Sequence, residues 1–190
     1  MSAVVGGDGI EGDRAALVVR GNRIVTSRTH PKLLRHHATF VDGAPRVNDL
    51  DLESPEVAAW VRDSAGDDAR LVRYDGPERF DILPLLVATD GAIAAMNVDS
   101  RRFRPNIIIG GVEGLAERTW EGKSLRVGDV VIRIHDLRQR CVMTTWDPDT
   151  QAQDLDVLRR IVRDFDGRIA LNCSVEVPGT IAVGDSATIF

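Results

Sequence analysis

The stretch Leu125-Arg-Val-Gly-Asp-Val-Val-Ile-Arg-Ile134 decides the fold class, because a Gly-Asp turn leads there directly into an apolar, β-branched strand. The end of the chain repeats this arrangement in Ile181-Ala-Val-Gly-Asp-Ser-Ala-Thr-Ile-Phe190. Corners of this kind recur in β-barrels, and two copies are too few for a solenoid. The two segments therefore predict strands that meet at the corners of a β-barrel.

Outside these segments the chain alternates between short strands and a few helices. Apolar or alternating runs predict strands at Ala15–Val19, Arg23–Thr26, Arg70–Tyr74, Leu85–Val87, Ile107–Ile109, Arg140–Thr145 and Val175–Val177, the fourth and fifth of them buried on both faces. Helices are predicted to begin at Ser54, Asp90 and Asp154, whose side chains suit a helix N-terminus. The last helix carries an apolar stripe made of Leu155, Leu158, Ile161, Val162 and Phe165. The predicted fold class is α+β, a β-barrel-centred fold with a few short helices.

Composition narrows the class of protein. The chain has 190 residues, enough for one domain, or one domain with a small appendage, that buries its own core. Its net charge of −5 disfavours a general nucleic-acid binder, because such proteins rely on basic surfaces that displace counterions. The sequence contains no run of about 18 apolar residues and no basic leader, so neither a membrane span nor a signal peptide is predicted. We expect a cytoplasmic protein with reduced thiols and with no nucleic-acid or membrane partner.

The chain has only two cysteines, Cys141 and Cys173, which excludes a disulfide framework and an all-thiolate zinc site. Arg138 and Arg140 flank Cys141, and nearby cations favour the thiolate, the form that binds metals or attacks electrophiles. Strand alternation would point Cys141 away from Arg140, so the expected effect is that of a field and not of a contact. Cys173 has no such neighbours and is predicted to be a packing residue. A buried, inert strand cysteine is the alternative interpretation of Cys141.

The segment Arg101-Arg-Phe-Arg-Pro-Asn106 is a second candidate site. In an extended chain Arg102 and Arg104 share one face, and Pro105 disfavours helix at the residue before it. Two forked guanidinium groups suit a phosphate or another planar anion, whereas the alternative is a solvated, basic strand end. The sequence has neither a phosphate-binding glycine loop nor a Gly-x-Ser-x-Gly elbow.

Five ordered motifs over residues 80–190 resemble the MOSC domain family, which is named for the C-terminal domain of molybdenum cofactor sulfurase. They are Phe103-Arg-Pro-Asn-Ile-Ile-Ile, Leu125-Arg-Val-Gly-Asp-Val, Arg140-Cys-Val-Met-Thr-Thr, Asp147-Pro-Asp-Thr and Pro178-Gly-Thr-Ile-Ala-Val-Gly-Asp. The branch that they resemble most is that of the amidoxime reducing component. The resemblance implies a MOSC domain over 80–190 and a shortened, family-like amino-terminal β half over 14–79. The glycine-rich residues 1–13 are predicted to form a flexible entry.

The resemblance also implies a molybdenum cofactor of the molybdopterin type, with Cys141 as the thiolate ligand of molybdenum and as the catalytic residue. The residues that it associates with cofactor binding are Arg14, Arg104, Asn106, Arg140, Thr144 and Thr145. A soft thiolate ligand and guanidinium–phosphate pairing fit these residue types. The implied reaction is oxygen-atom abstraction from a small N-hydroxylated or N-oxide substrate. Its electrons would come from a donor protein such as a ferredoxin, a flavoprotein or a cytochrome b5-like protein.

Departures from the family pattern leave other functions open. The chain contains no Pro-Val-Lys-Ser-like motif, whose Lys and Ser contact the cofactor phosphate in the family. Ala92 stands where the family often has Ser, and a position near Asn172 also looks altered. One alternative is a sulfur-carrier or cofactor-handling module that uses a Cys141 persulfide. Another is a repurposed, metal-free MOSC scaffold in a specialised pathway.

Overall fold

A computed structural model of the chain describes residues 2–190. The chain divides into two compact units, one made of the segment up to Glu11 together with Ile82–Phe190, and the other of Gly12–Asp81. Within residues 2–190, no helix has both the length and the apolar character that a membrane crossing requires.

The strands and helices are short and numerous. The strands are β1 Ser2–Gly6, β2 Gly9–Ile10, β3 Ala16–Arg20, β4 Arg23–Val25, β5 Ala38–Val41, β6 Ala44–Val47, β7 Leu50–Asp51, β8 Ala69–Arg73, β9 Leu85–Thr89, β10 Ile107–Ile109, β11 Ser124–Val127, β12 Val130–Gln139, β13 Arg168–Val177, β14 Gly179–Ala182 and β15 Ala187–Ile189. The α-helices are α1 Pro55–Ala65, α2 Asp90–Met96 and α3 Leu155–Phe165. Short 3-10 helices span Pro31–Arg35, Pro77–Arg79, Ser100–Phe103, Ala116–Thr119 and Val142–Thr145. This mixture confirms the predicted α+β class.

A six-stranded, barrel-like sheet forms the centre of the first unit, in the order β10-β9-β13-β12-β11-β15. Strands β9 and β10 are parallel, and the other neighbours are antiparallel. The long pair β12–β13 has three register shifts, which bend strands and raise their twist, so the sheet curls until it is nearly closed. Its interior is apolar and contains Leu85, Val87, Ile132, Ile134 and Leu171.

The two Gly-Asp segments lie side by side in this sheet. Gly128, with φ 53°, turns β11 back into β12, and Gly184, with φ 98°, lies in the turn between β14 and β15. A Cβ built on Gly128 would lie 2.9 Å from Oδ2 of Asp185, and that same oxygen accepts a hydrogen bond from the Ala182 N–H at 2.7 Å. The repeat therefore marks two adjacent corners of the sheet, as its sequence predicted.

The glycine-rich amino-terminal segment, for which a flexible entry was predicted, contains strands β1 and β2. Residues Ser2 to Val5 pair with β14, and Val5 and Gly6 pair with β2. Val5 is fully buried in the apolar core of the sheet. Glycines permit tight turns as readily as disorder, and here Gly9, with φ 98°, follows the turn that returns the chain along β1.

Strand β10 differs from the prediction of a strand buried on both faces. It is the edge strand of the sheet, and its central residue, Ile108, is 49% exposed. Its neighbours Ile107 and Ile109 point into the core. An edge strand has a partner on one side only, so a run of three isoleucines does not guarantee burial.

Helices α2 and α3 pack together outside the sheet through Met96, Val157, Ile161 and Phe165. This corrects the predicted apolar stripe of α3, because Leu155 and Val162 are exposed and Val157 is buried instead. Asp154 caps α3 as predicted, by accepting a hydrogen bond from the Asp156 N–H.

The predicted start of α2 is shifted by one residue. Thr89 is the cap, since its hydroxyl accepts from the Ala92 N–H at 3.1 Å, and Asp90 occupies the first turn. The Asp90 carboxylate accepts instead from the Gly111 and Val112 N–H groups, and these bonds hold its pKa below the usual range. Asp90 therefore connects α2 to the loop that follows β10.

The second unit combines two three-stranded antiparallel sheets, β4-β3-β8 and β5-β6-β7, with α1. The two strands predicted on either side of Gly21 form a hairpin, with Arg20 opposite Arg23. Ser54 caps α1 as predicted, because its hydroxyl accepts from the Val57 N–H. The apolar face of α1 packs against the strands of this unit, and Val57 is fully buried.

Candidate functional site

Cys141 lies where β12 ends, in a tight turn and not in a strand. The predicted strand over Arg140–Thr145 is wrong, because β12 ends at Gln139 and a 3-10 helix spans Val142–Thr145. The Cys141 carbonyl accepts hydrogen bonds from the Thr144 N–H at 3.1 Å and from the Thr144 hydroxyl at 3.0 Å. The Cys141 side chain is half-buried. Its thiol therefore sits at an accessible strand end on a rigidly bonded backbone.

The guanidinium group of Arg140 is held beside this turn. Its Nη2 donates to the Phe103 carbonyl at 2.6 Å, and its Cζ lies 5.8 Å from the centre of the Phe103 ring. Burial, followed by the nearby charges of Arg138 and Arg104, lowers the pKa of Arg140 to about 10, and Cys141 opposes this shift. The Nε atom is buried and has no acceptor among residues 2–190. Arg140 thus combines close cationic neighbours with an unsatisfied donor.

The 100–106 segment does not form the extended basic face that its sequence suggested. Residues Ser100–Phe103 form a 3-10 helix, so Arg102 and Arg104 diverge. Arg104 follows with φ 55° and is exposed, whereas the Arg102 side chain is only 12% exposed and donates to the Thr145 carbonyl and to Asp147. Asp99 caps this 3-10 helix by accepting from the Arg101 N–H at 2.8 Å, and this bond favours helical over extended backbone at the start of the segment.

Asn106 and the two threonines are engaged with the backbone. The Asn106 side-chain oxygen accepts from the Leu86 N–H at 2.8 Å, which joins the start of β10 to β9. Thr144 and Thr145 are fully buried, and the Thr145 hydroxyl donates to the Val142 carbonyl at 2.7 Å. Thr144 and Thr145 thus fix the backbone of the Cys141 turn, whereas Asn106 fixes the start of β10. The predicted contact of all three side chains with a cofactor stays a prediction.

Arg14 belongs to the second unit. Its Nη1 donates to the Arg79 carbonyl at 3.1 Å, and its Cζ lies 5.6 Å from the centre of the Phe80 ring. The role near a cofactor phosphate that the resemblance implied also stays a prediction. The site that the structure itself assembles consists of Cys141, Arg140 and the 102–104 segment of the first unit.

Cys173 is buried within β13, as a packing residue should be. Burial raises the pKa of its thiol to about 12, and its Sγ lies 3.6 Å from the Leu171 carbonyl oxygen. The adjacent Asn172 is 4% exposed, accepts from Arg138 at 3.2 Å and donates to Asp136 at 2.5 Å. Asn172 therefore ties Arg138, two residues after Asp136 on β12, to the sheet.

Sequence reasoning missed a buried carboxyl group in the same unit. Glu117 is 1% exposed, and its Oε2 accepts from the Thr89 hydroxyl at 3.2 Å while Oε1 has no donor among the described residues. Burial raises its pKa. Nothing in the sequence around Glu117 distinguishes it from the surface glutamates of the chain, so its burial was not predicted. Within residues 2–190, no cluster of three or more His, Cys, Asp or Glu side chains is placed to hold a metal ion.

Comparison of sequences matches residues 86–188, more than half of the chain, to the MOSC domain family. Human mitochondrial amidoxime reducing component 2 is 32% identical over 124 residues, covering 55% of this chain and 36% of that protein. Human mitochondrial amidoxime-reducing component 1 is 33% identical over 124 residues with the same coverage. The molybdenum cofactor sulfurase of Bombyx mori is 30% identical over 88 residues, 46% of this chain and 10% of that protein. The chain thus spans about a third of the length of its amidoxime-reducing relatives, 36%.

Two solved structures show a general likeness. The YuaD protein of Bacillus subtilis aligns over 100% of this chain and 96% of its own, with 14% identity and a TM-score of 0.45. YiiM of Geobacillus stearothermophilus aligns over 56% of this chain and 54% of its own, with 12% identity and a TM-score of 0.45. Likeness at this level supports no comparison of function. The match over residues 86–188 shows that the chain belongs to the MOSC domain family.

Proposed function

We propose that the chain binds a molybdenum cofactor of the molybdopterin type at Cys141 and reduces small N-oxygenated compounds. The observation that carries the proposal is the half-buried Cys141 thiol beside the buried, unsatisfied Nε of Arg140. The relatives named for amidoxime reduction and for cofactor sulfuration support the choice of cofactor.

The residues at the turn fit an anionic, metal-bearing group. A thiolate is a soft ligand that suits molybdenum-type centres, and Cys141 would be one ligand among several that the cofactor itself supplies. A buried donor without an acceptor costs about 1–3 kcal/mol, and an anionic oxygen of the cofactor at Arg140 Nε would remove that cost. Burial lowers the pKa of Arg140 most, and the nearby charges of Arg138 and Arg104 lower it further. These two charges would also attract the same anion.

The other predicted residues would act in two ways. Arg104, which is exposed, would pair with phosphate or other acidic groups of the cofactor. Thr144 and Thr145 would act through the backbone of the turn that they hold, so that the Cys141 thiol keeps one position, and Asn106 would hold the start of β10.

The cofactor, when bound, would supply a centre that accepts an oxygen atom from the substrate. The balanced reaction takes an N–OH compound, two electrons and two protons to the N–H compound and water. A donor protein of the ferredoxin, flavoprotein or cytochrome b5-like kind would deliver the electrons. The part of this chain would be to bind the cofactor, to hold the half-buried thiol in place and to keep cationic side chains near the anion.

The test is elemental analysis of protein purified from a host that makes molybdenum cofactor. Wild type, Cys141→Ala and the matched control Cys173→Ala would also be assayed for reduction of an amidoxime by a reduced viologen dye. We expect molybdenum and N-reduction in wild type and in Cys173→Ala, and loss of N-reduction in Cys141→Ala.

Wild-type protein without molybdenum or tungsten, and without N-reduction after cofactor is added, would overturn the proposal. The metal-free protein would then be incubated with a cysteine desulfurase. A gain of about 32 Da on Cys141, one sulfur atom, would assign a persulfide carrier instead.

A further inference from the structure

Arg102 joins the 3-10 helix at 100–103 to the far end of the Cys141 turn. Its Nη1 donates to the Thr145 carbonyl at 2.9 Å, and its Nη2 donates to Oδ2 of Asp147 at 2.9 Å. The Thr145 carbonyl also accepts from the Asp154 N–H at 2.8 Å. One guanidinium fork therefore fixes the last residue of the turn and the residue two positions beyond it.

Asp147 is a rigid anchor for this fork. Its other oxygen, Oδ1, accepts from the Thr150 N–H at 2.8 Å, from the Thr150 hydroxyl at 2.9 Å and from the Asp149 N–H at 3.1 Å. These bonds, those of Thr150 above all, lower the pKa of Asp147 and keep its carboxylate charged. The carboxylate cannot follow Arg102 outward without breaking the turn that it closes.

The near end of the Cys141 turn is fixed to the same 3-10 helix. The Arg140 N–H donates to the Gly167 carbonyl at 2.9 Å, and the Arg140 side chain donates to the carbonyl of Phe103, the residue after Arg102. Two arginine side chains therefore link the 3-10 helix at 100–103 to the two ends of the Cys141 turn. Arg102 donates from the helix to the turn, and Arg140 donates from the turn to the helix.

We propose that Arg102 is a positioning residue that holds the Cys141 turn closed and so sets the place and accessibility of the thiol. An arginine is needed because its planar fork reaches a carbonyl and a carboxylate together, which a lysine ammonium does not. That the positioned thiol ligates molybdenum rests on the proposed function, whereas the positioning itself does not.

Arg101 is a matched control on the same segment. It forms a bidentate pair with Asp149 and another with Asp99, yet its side chain is 56% exposed. Exposed ion pairs of this kind are strongly screened by water and contribute little. Arg101 has the same chemistry as Arg102, and its side chain donates to Asp99 and Asp149 instead of to the Cys141 turn.

The experiment measures the rate at which iodoacetamide alkylates Cys141 in metal-free protein at fixed pH. Peptide mass spectrometry follows the reaction, and the buried Cys173 is the internal reference. The variants are Arg102→Lys, Arg101→Lys and Asp147→Asn, the last of which keeps the Oδ1 acceptor. Loss of the fork raises the rate roughly fivefold, the factor that corresponds to one net hydrogen bond, in Arg102→Lys and Asp147→Asn. The rate in Arg101→Lys stays within about twofold of wild type, as a screened surface pair predicts.

Chemical rescue separates positioning from general damage to the fold. In Arg102→Ala, guanidinium ion at a concentration below the denaturing range restores the slow rate, and sodium ion at equal concentration does not. Equal rates for Arg102→Lys and wild type, or equal effects of guanidinium and sodium, would overturn the inference. Because the protein is metal-free, failure of the molybdenum proposal leaves this result unaffected.

Discussion

The two cysteines occupy opposite kinds of place in one antiparallel strand pair. Cys173 lies in the middle of β13, opposite Ile134, where side chains on every side exclude water. Cys141 lies two residues beyond the end of β12, where the hydrogen bonds between strands have ended. The turn that contains it is held instead by bonds from Thr144 and by the side chains of Arg102 and Arg140. Apolar packing therefore fixes Cys173, whereas hydrogen bonds fix the turn that contains Cys141.

This difference separates the stability of the fold from its thiol chemistry. Burial raises the pKa of Cys173 to about 12 and so keeps that thiol neutral and inert. Cys141 is half-buried and lies next to the cationic Arg140. Each of the following variants alters either the packing at Cys173 or the hydrogen bonds of the Cys141 turn, and leaves the other unchanged.

The largest effect is expected from Cys173→Ser. The serine hydroxyl would replace a less polar thiol at a fully buried position, so the free energy of unfolding should fall by about 2 kcal/mol. Cys141→Ser, at a half-buried turn, should cost less than about 0.5 kcal/mol. Urea denaturation of both variants beside wild type measures the difference. Equal losses at the two positions would show that packing does not distinguish them.

A second effect concerns alkaline pH. The pKa of Cys173 is about 12 in the fold against 9.0 for a free thiol, so its contribution to stability is complete below pH 9 and is lost as pH rises toward 12. Between pH 7 and pH 10 the free energy of unfolding should therefore fall by about 1.4 kcal/mol more in wild type than in Cys173→Ala. Groups common to both proteins cancel in this difference. Parallel pH profiles for the two proteins would contradict the burial of the thiol.

Features governed by local turn chemistry were predictable from the sequence. The Gly-Asp corners at Gly128 and Gly184 and the helix caps Ser54 and Asp154 each depend on residues within four positions of one another. The family resemblance singled out Cys141, whose role as a ligand stays a prediction. These signals suffice to identify the α+β class and the turn-rich sheet.

Features governed by distant partners were not predictable. One local feature was missed as well, because the β-branched Thr144 and Thr145 favour a strand, yet their hydroxyl groups bond backbone carbonyls three residues earlier and stabilise a 3-10 helix. The partners of Arg102 lie 43 and 45 residues away, so its sequence neighbourhood suggested an anion site instead. Leu155 is exposed and Val157 is buried because of the position at which α2 packs against α3. The spacing of apolar residues along α3 alone does not specify that position.

The smallest effect is expected from Thr144→Val, which keeps the shape of the side chain and removes its hydroxyl. The Cys141 carbonyl would keep the bond from the Thr144 N–H and lose the one from the hydroxyl, so the free energy of unfolding should fall by about 1 kcal/mol. Hydrogen exchange should quicken in the peptide that contains Cys141 and stay unchanged in the one that contains Cys173, because only the turn depends on this bond. The control is Thr188→Val, an exposed β15 position that should alter neither peptide. Faster exchange throughout β13 would mean that the two cysteines share one cooperative unit, and the separation between packing and polar support would then fail.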